Sequence, residues 1–160
     1  MKTIFKTVLY LQLIALLLAA ALPDSSAKDK GLPFLGSIQG VEIATVEVPK
    51  IFVDATGSGQ ATHLGRFHLT YELEVDLLTL PFETFGSSVF TAANGDTITT
   101  DIIGRGTPVG ENAVFVVELH TITGGTGRFA GATGTFVRTY LLNLATGVTS
   151  GSFAGTIALH

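Results

Sequence analysis

The sequence predicts an all-β domain of antiparallel strands, and three observations lead to this fold class. The 160 residues include 19 glycines and 22 threonines, and 14% are charged, whereas about 25% is usual. Apolar residues recur at every second position over long stretches, which is the period of a strand with one buried face. The connections between these stretches are too short for parallel crossovers, which need about a dozen residues each.

Composition also excludes several classes of protein. A hydrophobic content of 46% argues against disorder. The chain has no Cys, which rules out a disulfide scaffold and a thiolate metal site, and its four His show no metal-ligand spacing. We therefore predict no metal and no cofactor. The net charge of −4, with scattered Lys and Arg, gives no electrostatic basis for binding nucleic acid.

The first 27 residues have the three parts of a secretory signal peptide. Lys2 and Lys6 form a basic start, residues 8–22 form an apolar run, and Ser25 and Ala27 supply small residues before a cleavage site. A spanning helix is the alternative, but it usually needs about 20 apolar residues. We predict a cleaved signal at 1–27, a tether at 28–36 and a β-barrel domain at 37–160. The protein is then secreted or periplasmic, with no membrane span after cleavage.

The strands follow one another at short spacing. The clearest is 66–77, where apolar and polar residues alternate without a break. Pro49 ends the first strand, Asn94-Gly95 predicts a hairpin, and residues 145–147 predict another. The predicted strands are 37–48, the broken pieces 51–53 and 59–63, 66–77, 87–92, 97–104, 113–123, 135–144 and 148–159.

About eight such strands either close into a barrel or split into a sandwich. Closure removes the unpaired edges that a charge-poor exported sheet would otherwise expose. The barrel is therefore the predicted architecture, and the sandwich is the alternative.

The densest local feature is a cluster of five glycines between residues 123 and 134. A phosphate-binding loop would need a helix after the glycines, and the sequence predicts none there. The cluster therefore predicts a structural turn, with Phe129 in the core and Arg128 facing water or a carboxylate. The residues of this structural motif are Gly124, Gly125, Gly127, Arg128, Phe129, Gly131 and Gly134.

This motif resembles the Gly-Gly-Thr-Gly-Lys/Arg-Phe signature of the dirigent and allene oxide cyclase barrels. Segments 61–67, 90–96 and 147–157 further resemble a family of exported proteins with an allene-oxide-cyclase-like barrel. Together the matching parts extend over residues 34–159. The resemblance implies an eight-stranded antiparallel, calycin-like barrel with an interior cavity, often assembled as a trimer. It transfers no catalytic residue, because the active residues of those enzymes lie outside the glycine motif.

Glu118 and His120 are two residues apart in a predicted strand, so they share a face with apolar neighbours, and Arg138 lies on the next strand. Such a group could form a tuned acid–base pair, or simply a stabilising cross-strand ion pair. A bulged turn would shift the register and swap faces, so the pairing stays open. The candidate pocket residues are Glu118, His120, Arg138, Tyr140, Phe136, Phe115 and Phe90.

Three functions remain in competition. A barrel of eight strands has room for side chains or one small ligand, which favours binding of a small apolar or phenolic compound. The resemblance implies an isomerase of the cyclase or dirigent type as the alternative. The third is a structural cell-surface module without a ligand.

Overall fold

The computed structural model describes residues 31–160, so the predicted signal segment 1–27 lies outside them. This part of the chain contains eight strands and one short 3-10 helix, Gly127–Phe129, between the sixth and seventh strands. The strands are β1 (Leu32–Glu47), β2 (Lys50–Ala61), β3 (Gly65–Asp76), β4 (Phe82–Ala92), β5 (Thr97–Gly110), β6 (Ala113–Gly125), β7 (Thr133–Asn143) and β8 (Val148–Ala158). Within residues 31–160, no helix is long and apolar enough to cross a membrane.

Each strand pairs antiparallel with the next one in the chain, and β8 pairs with β1, so the sheet closes. The predicted all-β, eight-stranded antiparallel barrel is confirmed, and the sandwich is excluded. Side chains alternate along each strand, so that every second one points into the barrel and the others point outward. On β3, for example, Phe67, Leu69 and Tyr71 are buried, whereas Arg66 and His68 are exposed.

The predicted tether at 28–36 is wrong for its last five residues. β1 begins at Leu32 and pairs with β8 from there on. The reason is Phe34, whose side chain is completely buried inside the barrel, so the segment is held by core packing. Residues 28–30 lie outside the described part of the chain.

The break predicted within the second strand is also wrong. β2 runs without interruption, and Gly57 and Gly59 occupy inward-facing positions in it. A Cβ atom on Gly59 would collide with the Phe67 ring and with the Ser37 carbonyl. Glycine here allows close approach rather than ending the strand. β4 and β5 are likewise longer than predicted: β4 begins at Phe82 rather than at residue 87, and β5 ends at Gly110 rather than at residue 104.

The two ends of the barrel differ. At one end, which we call the plugged end, Phe129 from the 3-10 helix and Leu64 fill the interior. Gly127 turns the chain there with a φ of 55°, which favours glycine. At the other end, the open end, inward-facing side chains become progressively exposed. Along β1, Ile38 is buried, Glu42 is half-buried and Val46 is 61% exposed.

Candidate functional site

The half of the interior next to the plugged end is filled by aromatic rings, and we call it the aromatic half. Neighbouring rings have centroid separations between 4.9 and 6.2 Å. Edge-to-face and tilted contacts of this kind are the favoured geometry for aromatic pairs. The rings belong to Phe34, Phe67, Phe90, Phe136 and Phe153.

Toward the open end the interior becomes polar, and Glu118 and Arg138 lie at its centre. The register pairs these two residues directly across β6 and β7, on the inner face of both strands. Arg138 Nη1 donates to Glu118 Oε2 at 3.3 Å, and the side chains are 1% and 0% exposed. The ion pair is therefore removed from water, where each charge depends on the other.

Glu118 accepts two further hydrogen bonds. Tyr140 Oη donates to Oε1 at 3.1 Å, and His120 Nε2 lies 3.2 Å from Oε2. Burial alone would raise the pKa of Glu118, but the bond from His120 and the charge of Arg138 outweigh it and hold the pKa below its usual value. Glu118 is thus an ionised, fully engaged carboxylate, which makes it a poor proton acceptor.

His120 is a neutral link between Glu118 and two buried hydroxyls. Burial lowers its pKa, so the ring carries one proton. Because an ionised carboxylate only accepts, that proton is on Nε2, and Nδ1 accepts from Thr100 Oγ1 at 2.9 Å. Ser88 Oγ lies 2.7 Å from Thr100 Oγ1 and donates to it. The His120 ring also stacks on Phe136 at 4.5 Å, which joins the polar network to the aromatic half.

Arg138 crosses the interior between two tyrosine rings. Its guanidinium carbon lies 4.1 Å from the Tyr140 ring centroid and 4.7 Å from that of Tyr71. Nη2 donates to Tyr71 Oη at 3.4 Å, and Tyr71 Oη donates to Glu42 Oε1 at 2.7 Å. Burial opposes the charge of Arg138, but Glu118 and the tyrosine oxygens outweigh it and keep its pKa above the usual value.

Glu42 is the member of this network nearest the open end. It is half-buried, and burial raises its pKa above the ordinary value for a glutamate, despite the hydrogen bond from Tyr71. A carboxyl group of this kind exchanges its proton more readily near neutral pH than Glu118 does. Within residues 31–160, no three His, Asp or Glu side chains converge as a metal site would require.

Three buried side-chain polar atoms of the barrel have no hydrogen-bond partner among residues 31–160. They are Arg138 Nε, Thr84 Oγ1 and Thr149 Oγ1. Both threonines face the interior, with 4% and 1% of their surfaces exposed. Buried polar groups in proteins are nearly always paired, so each of these atoms calls for a partner.

The structure places the predicted pocket residues in three locations. Glu118, His120, Arg138 and Tyr140 form the polar network. Phe90 and Phe136 lie in the aromatic half. The prediction that Phe115 lines a pocket is wrong: it lies on the outer face and is 39% exposed. Strand alternation explains this, because Phe115 is offset by an odd number of residues from the inward-facing Val116 and Glu118.

Several members of the site were not predicted. Glu42 shares the inward face of β1 with Phe34 and Ile38, so alternation alone could have found it. Ser88 and Thr100 are likewise two residues from buried Phe90 and Ile98. Both lie inside the barrel, where Thr100 bonds to His120 and Ser88 bonds to Thr100.

The fold and this polar interior define a class of protein: a closed eight-stranded antiparallel barrel with a buried ion-pair network. The solved structure of a pterocarpan synthase dirigent protein has this fold, with a TM-score of 0.50 and 12% sequence identity, over 83% of this chain and 97% of that one. The chain therefore shares the fold of this dirigent protein, and at this identity the likeness shows the fold alone. No protein-family model and no curated protein matches the sequence.

Proposed function

We propose that this chain is an exported barrel that binds one small, mostly apolar ligand in the polar half of its interior, with a neutral oxygen group facing Arg138. The observation that carries the proposal is the set of three unpartnered buried atoms, Arg138 Nε, Thr84 Oγ1 and Thr149 Oγ1. Leaving a buried donor or acceptor unpaired costs about 1–3 kcal/mol, so a partner for these atoms would be strongly favoured.

The packing of the interior supports this position of the ligand within the barrel. The aromatic half is filled by phenylalanine rings in mutual contact, and Phe129 closes its end. Inward-facing side chains are increasingly exposed only in the opposite direction, along β1 from Ile38 to Val46. A ligand would therefore enter from the open end, and it would have to displace the side chains that cover Arg138, which is 1% exposed.

The chemistry of the lining favours a neutral compound. Arg138 and Glu118 already compensate each other, so an additional charged group would be buried without a counterion. Val114, Val116 and the ring of Tyr140 form an apolar cluster beside the ion pair. A phenol or a carbonyl compound matches these features better than a fatty-acid carboxylate does.

A thermal-shift screen with neutral phenols, carbonyl compounds and fatty acids tests the proposal. We expect neutral phenols or carbonyl compounds to raise the melting temperature, and Thr149→Val to weaken their binding about fivefold to tenfold, the effect of one lost hydrogen bond. Thr70→Val on the outer face of β3 is the matched control and should bind as the original does. Absence of stabilisation by any of these compounds would favour the structural-module alternative. Equal binding to the Thr149 variant would contradict the proposed position of the ligand.

An isomerase or cyclase activity of the dirigent type is the second candidate function. It is supported by Glu42, a half-buried carboxyl with a raised pKa that is bonded to the Tyr71 phenol near the open end. Such a group suits proton transfer to or from a bound phenolic compound. The solved barrel of similar fold is described as a pterocarpan synthase. If the activity exists, Glu42→Gln abolishes turnover of a bound compound while retaining its binding.

The export part of the proposal rests on the order of basic, apolar and small residues in 1–27. Mass spectrometry of protein recovered outside the producing cell should find an N-terminus near Lys28. A full-length chain retained in the membrane would contradict it.

A further inference from the structure

The outer surface of strands β8, β1, β2, β3 and β4 carries a groove of about 670 Å³, a volume within the usual range of ligand sites, about 300–1,000 Å³. We call it the polar groove. Its main row of side chains crosses the five strands, with each residue opposite the next in the register, and consists of Ser150, Gln39, Ser58, His68 and Thr91. A second row beside it, nearer the plugged end, holds Gln60 opposite Arg66.

The groove has a structural cause in the barrel wall. The inward-facing positions of this wall include Gly36 on β1 and Gly59 on β2. A Cβ atom on Gly36 would collide with the Phe153 ring, as one on Gly59 would with the Phe67 ring. Because these positions carry no side chain, the wall lies directly against the aromatic rings and its outer surface is sunken. The groove therefore rests on a filled core, which keeps its polar side chains at fixed spacings.

Arg66 is the one Lys or Arg side chain among residues 31–160 that has no carboxylate partner. This part of the chain holds five such side chains, and the other four form ion pairs with Asp or Glu. Among the same residues, no Asp or Glu lines the polar groove. An exposed cation without a counterion, surrounded by hydrogen-bonding groups, is complementary to an anionic group on a ligand.

The charges along β2 and β3 favour a ligand that lies across the strands. Asp54 and Glu72, which are opposite each other, lie four residues along these strands from Ser58 and His68. At about 3.3 Å per residue they are about 13 Å from the main row, and they do not line the groove. A long anion placed parallel to the strands would meet these two carboxylates, whereas one placed across the strands meets none.

The chemistry of the lining selects among the common classes of extended ligand. A peptide strand finds no free sheet edge to pair with, because the barrel is closed. A nucleic acid needs several Lys or Arg along its phosphates, and the groove supplies Arg66 alone. Sugar hydroxyls both donate and accept hydrogen bonds, as the Gln amides and the Ser and Thr hydroxyls of the groove do. The planar guanidinium matches a carboxylate through two parallel hydrogen bonds. These features together match a sugar chain that carries carboxylates.

We propose that the polar groove binds an acidic oligosaccharide built of uronic acids, with one carboxylate on Arg66 and sugar hydroxyls on Gln39, Ser58 and Gln60. Neighbouring strands lie about 4.8 Å apart, which is close to the length of one pyranose unit in an extended chain, so the five strands accommodate about four sugars. The inference is independent of the ligand proposed for the interior, because these side chains point outward from the barrel.

A titration with a linear tetramer of galacturonic acid, followed by amide NMR, tests the proposal on protein expressed from the full-length sequence, in the form that the cell yields. We expect saturable shift changes at Ser58 and His68. Arg66→Gln should weaken binding about tenfold or more, the effect of one lost charge-assisted hydrogen bond. Arg66→Lys keeps the charge without the planar fork and should have an intermediate affinity. The matched control is Arg105→Gln, an exposed Arg on β5 outside the groove, which should bind as the original chain does.

The same titration can overturn the proposal in four ways. The first is the absence of shift changes in the groove at about 10 mM tetramer, ten times the dissociation constant of a weak, millimolar site. The second is equal binding of the fully methyl-esterified tetramer, which has lost its carboxylates. The third is equal binding by Arg66→Gln, once thermal unfolding has verified that this variant is folded. The fourth is the same set of shifts with inorganic sulfate or phosphate alone at equal concentration, which would show a general anion site rather than a sugar site.

Discussion

Along β7, Phe136 faces the ring cluster of the aromatic half, whereas Arg138, two residues further on, faces the buried carboxylate of Glu118. The same strands thus build two halves of one interior with opposite chemistry. The aromatic half is a filled core at the plugged end. The polar half holds an ion pair, two tyrosines and three unpartnered atoms below the open end. This difference underlies our proposal that the first half stabilises the barrel and the second binds a ligand.

The largest effect expected in the polar half comes from breaking its ion pair. Arg138→Met leaves Glu118 charged and buried without a counterion, which should lower the free energy of unfolding by about 3–5 kcal/mol. The double variant Glu118→Gln with Arg138→Met removes both charges and should recover most of that loss. Urea unfolding of the single and the double variant measures these two changes in free energy. A double variant as unstable as the single one would show that the ion pair itself stabilises the barrel.

The next effect concerns the plugged end. Gly127→Ala should lower the free energy of unfolding by about 2–3 kcal/mol, since it combines a positive φ with a collision between the new Cβ and Asp96. Gly131, with a φ of 72° and no atom closer than 3.9 Å, provides the matched comparison. Gly131→Ala should cost about 1–2 kcal/mol, the cost of the backbone conformation alone. If the two variants have the same melting temperature, the collision with Asp96 does not contribute to the loss of stability.

Much of the fold, and less of the site, could be predicted from the sequence. The period-two pattern of β3 and the short connections determine an antiparallel barrel, because few other arrangements bury such strands. The common face of Glu118 and His120 also follows from alternation. The position of Arg138 opposite them does not, because the register depends on how the glycine loop before β7 turns. Phe115 was misplaced since hydrophobicity suggests burial, whereas β6 is apolar on both faces.

The burial of His120 predicts that the stability of the barrel depends on pH. The phenylalanines of the aromatic half would not produce this dependence, because they do not titrate. The pKa of His120 is lowered by burial, so the unfolded chain takes up a proton below about pH 6.5 that the folded chain does not. Stability should therefore decrease as the pH falls below about 6.5, by up to about 1.4 kcal/mol per pH unit. Glu118, whose pKa is lowered, adds to the loss below about pH 4.3, while Glu42, whose pKa is raised, acts in the opposite direction.

Urea unfolding of the original chain and of His120→Gln at several pH values checks this dependence. The variant should be less stable at neutral pH and should lose less stability on acidification. His68→Gln, an exposed site on the outer face of β3, is the control and should follow the original chain. An identical slope in His120→Gln would mean that another group titrates.

The smallest expected effect is a difference in unfolding free energy between replacing a hydrogen-bonded threonine and replacing an unpaired one. Thr100 and Thr149 are both 1% exposed, but only Thr100 has hydrogen-bond partners, Ser88 and His120. Thr100→Val should cost about 1–3 kcal/mol, since it leaves both partners unsatisfied. Thr149→Val should leave stability unchanged or raise it by about 1 kcal/mol, because it removes an unpaired hydroxyl. Equal losses in thermal unfolding would show that Thr149 is satisfied and would weaken the ligand proposal.

Methyl NMR during titration with a small neutral phenol tests the central claim most directly. The claim predicts saturable shift changes at the methyl groups of Thr84, Thr149 and Val116 in the polar half, with the methyl groups of Leu69 and Ile157 in the aromatic half unaffected. Shift changes confined to the aromatic half or to the outer surface of the barrel, or none at any concentration, would contradict it.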